Sequence, residues 1–452
     1  MLSLKSGLLP SMIAIGLMTT SWPLAADPLR RLPQAEVSIN AFEISIEQAI
    51  ALSLRDNQQL RAIQLEQLAA EHDSKAAETL RLPSLDLETG YTVLNDGPAL
   101  NLGSRFGTLF SRIDIPQAEE ESLSARSRIS LPIYTGGAIS RSIEASKLQL
   151  SKARWRYNHA QAELKINVIE SYLDLLLAQD EVRFATRFAR NRQLHLNEIR
   201  NEQKNGTATR DALFAENAQV LDFERRIRSA RLNLDSARAS LNRILNRRMS
   251  DPLLLRGFDD PHVPSRDLAE LVEISIRNRP ELPELQAERE SLRMAAKSLD
   301  AERLPHVGLF GEFAFQDNRF VSPEGVGSLS LAATWNAFDG GRKYHQSESL
   351  LRKADAVDRL IRDFEHEIER QVVVALNRLG DLEFQLQVKQ RQMDATLETL
   401  RVADRRFLQG VGSRNEVLDA EFEKMKRDFE LKSLQIRIAK SKFRLRLVLG
   451  VL

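Results

Sequence analysis

The sequence predicts a mainly α chain made of two structural repeats, each joining a long helical hairpin to a β-hairpin of the kind that builds a membrane barrel. Three observations carry this prediction. A helix-patterned segment opens at a Gly-Gly pair and is punctuated by a single glycine 69 residues later, once at Gly137 and Gly206 and again at Gly341 and Gly410. Proline is absent from 133 to 251 and from 324 to 452, so nothing in either stretch removes a backbone donor or clashes with the preceding turn. Upstream of each Gly-Gly, the apolar period changes from 3.6 to 2.

The long segments come first. At 1.5 Å per residue, 69 helical residues extend roughly 100 Å, well beyond an ordinary domain. Apolar positions recur at three and four spacing (Ile166, Ile169, Leu173, Leu176; Val372, Ala375, Leu379), and Ala138, Ala145 and Ala153 allow close helix approach. Each segment therefore reads as a coiled-coil-like stripe, and a break at the single glycine returns it as an antiparallel hairpin. Gly380 interrupts the second stripe where the first has Leu176. A mid-helix glycine costs about 1 kcal/mol relative to alanine, so close packing by a neighbouring helix is expected there.

Composition bounds the class. With 452 residues, net charge +1, 42% hydrophobic and 28% charged content, neither a disordered tail nor a nucleic-acid binder is indicated. The chain has no cysteine, which excludes disulfides, thiolate metal sites and a lipid-modified cysteine. Lys5, the apolar run Leu8 to Met18 and the small residues Ala25-Ala26 read as a secretory signal peptide over 1–26. A linker follows over 27–44. No later segment holds 18 uninterrupted apolar residues, so membrane insertion must be by strands.

The first repeat is placed at 45–256 and the second at 257–452. Ser45-Ile46-Glu47-Gln48 is a capping-box pattern that opens a short helix to about Asp56, and a second helix runs from about Gln59 to Leu82, before Pro83. The pair returns as Asp267 to Arg277 and Pro283 to Leu304, before Pro305. These elements are offset by 222 residues and the long helices by 204, so an 18-residue difference lies between each Pro and its Gly-Gly. There, over about 84–134, Leu85, Leu87, Tyr91 and Val93 alternate with polar residues, as do Leu123, Ala125, Ile129 and Leu131. Val307, Leu309, Phe313 and Phe315, answered by Leu329, Leu331, Ala333 and Trp335, repeat this over about 306–338. The loop Asn95 to Glu120 absorbs the extra residues.

Strands of about ten residues, apolar on one face and charged on the other, match a barrel with a wet lumen. Four cannot close, and closed membrane barrels begin at about eight strands, so several chains must contribute; three would supply about twelve. Alternation alone also allows a soluble sheet packed on helices.

In these features the sequence resembles the TolC-like outer-membrane efflux family. The carriers are Ile46-Glu47-Gln48-Ala49 followed by Asn57 and Leu60, echoed by Asn278 and Leu282; the turn Leu131-Pro132-Ile133-Tyr134-Thr135-Gly136-Gly137, echoed by Trp335 to Arg342; and Arg406-Phe407-Leu408-Gln409-Gly410 followed by Val417-Leu418-Asp419-Ala420. Each is weak alone, but their order and duplication make the match specific over nearly the whole chain beyond the signal peptide. The resemblance implies a homotrimer, with a twelve-stranded barrel among outer-membrane lipid and a twelve-helix tunnel across the periplasm. It also implies a periplasmic adaptor (a membrane fusion protein) and an inner-membrane pump or ABC transporter as partners, no nucleic acid and no cofactor. The cargo, drugs and small molecules or secreted protein, is left open.

The resemblance places the adaptor-docking tips at Gly206, Thr207 and Arg210 and at Gly410, Val411 and Ser413. Glycine at each tip also suits a left-handed helix end. Departures are visible: Glu202 to Asn205 replace the usual Arg-aromatic pair, Phe407 lacks a hydroxyl that some members use in locking the mouth, and Gly412 stands where some have Arg. Asp211, Glu416 and Asp419 are assigned to the periplasmic aperture. Glu416 and Asp419 are three apart and share a helix face, although Asp211 and Glu416 also suit the positive end of a helix dipole.

Catalysis finds little support. The seven histidines are scattered, His366-Glu367 lacks a second histidine, and no dinucleotide or phosphate loop is complete. A periplasmic coiled-coil adaptor or scaffold would also use long helical hairpins, but would not need two membrane-type strand hairpins.

Overall fold

The computed structural model describes residues 42–95, 99–101, 114–116, 119–317 and 322–452. The expected signal peptide, residues 27–41 of the expected linker and parts of both strand-connecting loops lie outside the described residues. In chain order, β1 (Phe42–Ile44) leads to α1 (Ile46–Asp56) and α2 (Gln58–Thr79), then β2 (Ser84–Val93), the short pair β3 (Ala99–Asn101) and β4 (Asp114–Pro116), and β5 (Glu121–Tyr134). The first long hairpin is α3 (Ala138–Lys204) with α4 (Arg210–Ile244). The second repeat runs β6 (Leu253–Leu255), α5 (Leu268–Asn278), α6 (Glu281–Ala301), β7 (His306–Gln316), β8 (Gly325–Thr334), α7 (Arg342–Leu408) and α8 (Arg414–Val448).

The duplication read from glycine spacing is met in the helices. Both α3 and α7 have 67 residues, and both α4 and α8 have 35. Gly137 and Gly341 cap the long helices in the left-handed region, at φ 86° and 82°, where an L-side chain is strained. Ser45 forms the full capping box with Gln48 on α1. α6 starts at Glu281, two residues before the expected Pro283, because a proline in the first turn has no intrahelical hydrogen bond to lose.

One half of α3 packs on α2 and α6 and the other on α4 and α8, while α7 packs on α6 and then on α8. The chain thus presents four helices at either level. Lys147 with Glu78 at 2.7 Å and Lys152 with Glu288 at 3.1 Å align α2 and α6 along α3. At Gly380 a Cβ would meet no atom of the described residues of this one chain within 4 Å, so any helix packed over it would come from a neighbouring subunit.

At the waist, Phe42–Ile44 is not linker but a strand, paired in parallel with Leu253–Leu255. Its anchor is Tyr172 of α3, fully buried, whose single hydroxyl proton is shared between the Arg256 carbonyl at 2.7 Å and the Ile44 carbonyl at 2.9 Å. Burial pushes its pKa up to about 12. Tyr172→Phe removes the only donor that reaches the Arg256 carbonyl from α3 and should destabilise the folded chain by about 1–2 kcal/mol, read as a lower denaturant midpoint with an unchanged slope.

The main sheet is antiparallel in the order β2-β5-β7-β8, leaving β2 and β8 as edges. Its register places Asp86, Arg128, Glu312 and Ser328 in one row across all four strands. On that face Arg128 meets Glu312 at 2.8 Å, and Arg126 meets Glu312 at 3.4 Å and Glu88 at 3.6 Å. The opposite face is apolar and uncovered, with Leu87 75% and Leu329 76% exposed. Tyr91 stands toward one end, and Trp335 and Phe338 at the end nearest the helices, all exposed. Ten residues at about 3.3 Å each, tilted about 40°, span roughly 25 Å, the height of the apolar band of a membrane barrel. No described helix is long and apolar enough to cross a membrane.

Candidate functional site

The two helical turns farthest from the sheet are built alike. In the first, Gly206 takes φ 78°, and the Glu202 carbonyl accepts from the Thr207 amide at 2.9 Å, the Ala208 amide at 3.3 Å and the Thr207 hydroxyl at 2.9 Å. In the second, Gly410 takes φ 70°, and the Arg406 carbonyl accepts from the Val411 and Gly412 amides at 2.9 and 3.0 Å. These bonds satisfy the terminal carbonyls that a helix end leaves open. Ser413 then caps α8, its Oγ accepting from the Glu416 amide at 3.2 Å.

Gly206, Thr207, Arg210, Gly410, Val411 and Ser413 are all exposed. A Cβ at Gly206 or Gly410 would meet nothing within 4 Å, so the glycines serve the backbone turn and leave its surface open. Gly412 differs. Its Cβ would stand 3.0 Å from the Arg406 Cβ and 3.2 Å from backbone atoms, so the larger residue that some relatives carry there would require this turn to give by a few tenths of an ångström.

The carboxylates divide. Glu416 and Asp419 line one open groove of about 550 Å³ between α7 and α8, together with Thr396, Thr399, Arg406 and Glu423; Asp211 does not line it. Glu416 lies 3.2 Å from Arg406 and Asp419 lies 3.1 Å from Arg192 of α3. Each therefore faces a guanidinium of the same chain. Asp211, at the start of α4, is exposed and is held below the usual carboxylate range by the Thr209 side chain and then by its own backbone amide. Its place in the first turn also suits the helix dipole.

Sequence reasoning missed a buried cluster just behind this groove. Arg192 and His195 of α3 and Glu216 of α4 are only 9%, 5% and 5% exposed, and they sit beside Phe188, Phe223 and Phe422, whose rings pack edge to face and tilted. The trace was present: Phe188, Arg192, His195 and Ile199 follow the four-three-four spacing of a helix seam, as do Glu216, Val220 and Phe223 at four and three. Polar residues at seam positions would have marked it.

Two stretches of the chain, residues 49–247 and 271–451, match the model of the outer membrane efflux protein family. No curated protein sequence matches the chain. Among solved structures, the fold is similar to the Campylobacter jejuni CmeC outer membrane channel (TM-score 0.75, 13% identity, 90% of this chain and 85% of that one). It is also similar to the outer membrane protein VceC of Vibrio cholerae (0.71, 15%, 90% and 96%) and the Neisseria gonorrhoeae MtrE outer membrane channel in its open state (0.70, 18%, 90% and 89%). The family matches cover both repeats and most of the chain, so this chain belongs to the outer membrane efflux protein family. It is an outer-membrane channel subunit: its four strands are one third of a twelve-stranded barrel, and its helices are one third of the tunnel that continues into the periplasm.

Proposed function

We propose that this chain forms the exit duct of a tripartite export system, in which a periplasmic adaptor docks on the two helical tips and an inner-membrane pump or ABC transporter delivers drugs, other small molecules or secreted protein. The observation that supports docking is the likeness of the tips. Two turns of the same backbone pattern, each exposing a glycine with open space over it, present equivalent sites to helical hairpins of a partner. A wide lumen does not need a tight binding pocket, so cargo is assigned by phenotype. Deleting the gene and comparing drug susceptibility with the secreted protein profile tests the system: one of the two should change, and no change in either contradicts an export role.

The aperture reading follows the groove. In the trimer, three copies of Glu416, Asp419 and Asp211 surround the periplasmic mouth, balanced in part by Arg406 and Arg192. A net negative ring attracts cations. Purified trimer in a planar bilayer should therefore be cation-selective and blocked from the periplasmic side by multivalent cations. Glu416→Gln with Asp419→Asn should lower the cation preference about twofold, and Arg406→Gln, which frees Glu416, should raise it. Unchanged selectivity in both variants would assign these acids to helix-end stabilisation alone.

A further inference from the structure

The cluster behind the mouth has too few cations for its carboxylates. Arg192 donates from Nη1 to His195 Nδ1 at 3.3 Å and reaches Asp419 Oδ1 from Nη2 at 3.1 Å, with its guanidinium 4.7 Å from the centre of the Phe422 ring. Glu216 Oε1 stands 3.2 Å from the same His195 Nδ1 and 3.7 Å from Arg192 Nη1. It has no aligned hydrogen bond, and the buried His195 Nε2 and Arg192 Nε have no partner either. One guanidinium thus serves two carboxylates, one of them on α4 inside the first hairpin and the other on α8 in the second.

Arg192 can only donate, so where it bonds Nδ1 that nitrogen carries no proton, the neutral imidazole holds its proton on Nε2, and the Nδ1 lone pair faces the carboxylate of Glu216. A second proton on His195 changes the pairing. Nδ1–H then donates to Glu216, which gains an aligned, charge-assisted bond, and the imidazolium repels the guanidinium beside it. Arg192 is left to Asp419. Two cations now match two carboxylates, one pair within the first hairpin and one pair across to α8, which is the arrangement that buried charges require.

The geometry points to a proton-sensitive clamp: protonation of His195 assigns Glu216 to the imidazolium and commits Arg192 to Asp419, tightening the tie between the first hairpin and α8 at the mouth. The charged groups in contact are Arg192 on α3, Glu216 on α4 and, through Arg192, Asp419 on α8. Glu198, three residues farther along α3, has a buried carboxylate oxygen with no hydrogen-bond partner. Asp419 lines the groove at the aperture, so a tighter tie holds α8 against the first hairpin and keeps the mouth narrow. The inference rests on the aperture reading above.

The test is the conductance of purified trimer in a planar bilayer, with the periplasmic side taken from about pH 8 to about pH 5, the range in which imidazoles change charge. Wild type should lose conductance on acidification, by roughly two- to threefold, in a single transition, as a two-state equilibrium shifts toward the narrow state. His195→Gln, which keeps a polar side chain without a titrating proton, should abolish the transition. Glu216→Gln should shrink its amplitude, because the imidazolium then has no carboxylate to pair with. A transition of unchanged size and midpoint in His195→Gln overturns the clamp, and so does a wild type whose conductance rises on acidification. Heat-labile trimer on a gel checks that each variant assembles. Asp419→Asn at neutral pH separates the two layers of the argument. If it changes neither conductance nor selectivity, the aperture reading itself fails, whereas a changed conductance together with a pH-insensitive wild type sinks only the clamp.

Discussion

Thr207→Asp combined with Val411→Asp should abolish export while leaving the trimer in the outer membrane. Both side chains are exposed, Val411 at 70%, and neither takes a left-handed backbone conformation. Aspartate therefore fits without strain in the free protein. The amides of both residues still donate within their own turns, and only the Thr207 hydroxyl's bond to the Glu202 carbonyl is lost, so the turns stay closed. What changes is the surface: two negative charges per chain appear where a partner's helix must approach the backbone. An unpaired charge desolvated at such an interface costs about 2 kcal/mol or more, which is over tenfold in affinity. Drug susceptibility or secretion should then match the deletion strain, with normal trimer on a gel. Normal export would place the docking surface elsewhere, and loss of the trimer would give the tips a purely structural role.

Gly136→Val should prevent assembly. Gly136 takes φ 63°, and a Cβ there would stand 2.8 Å from Leu304 Cδ1 and 2.9 Å from the Ala301 carbonyl oxygen. The left-handed conformation alone costs an L-residue about 1–2 kcal/mol, and more when it is β-branched. The backbone oxygen at the end of α6 cannot move aside as a flexible side-chain tip could, so the combined cost should exceed about 3 kcal/mol. Gly410→Val is the control, because it meets the same backbone strain in open space. The trimer should be lost in the first variant and kept in the second. Equal stability of the two would mean that the junction between sheet and long helix is more pliable than its contacts indicate.

These two glycines also show what the sequence revealed and why. The Gly-Gly turns and the single glycines are legible because a left-handed residue next to a long proline-free stripe has few explanations, and their equal spacing sets the length of both long helices. The strands were legible because Leu85 to Val93 and Val307 to Phe315 alternate cleanly over a full membrane width. Short strands were not. Phe42–Ile44 and Leu253–Leu255 are too brief for any period to register, and they are extended only because each finds the other and the Tyr172 hydroxyl between them. The partners of the mouth carboxylates were equally hidden. Arg192 and Asp419 belong to different hairpins, and nothing local in either segment indicates that they meet. Gly380 shows a related limit: helical spacing identifies a bare position on α7 but not which molecule packs over it.

The central claim is that three copies of this chain close one barrel in the outer membrane. Among the described residues the sheet carries two open edges and an apolar face with no cover, and four strands cannot enclose a lumen. The direct measurement is the mass of the protein extracted from outer-membrane fractions in mild detergent, by native mass spectrometry, before and after heating. A species of three chains, recovered only with detergent and converted to single chains by heat, is the expected result. A single chain released from the periplasm without detergent would contradict it, and is what a periplasmic coiled-coil adaptor or scaffold would give.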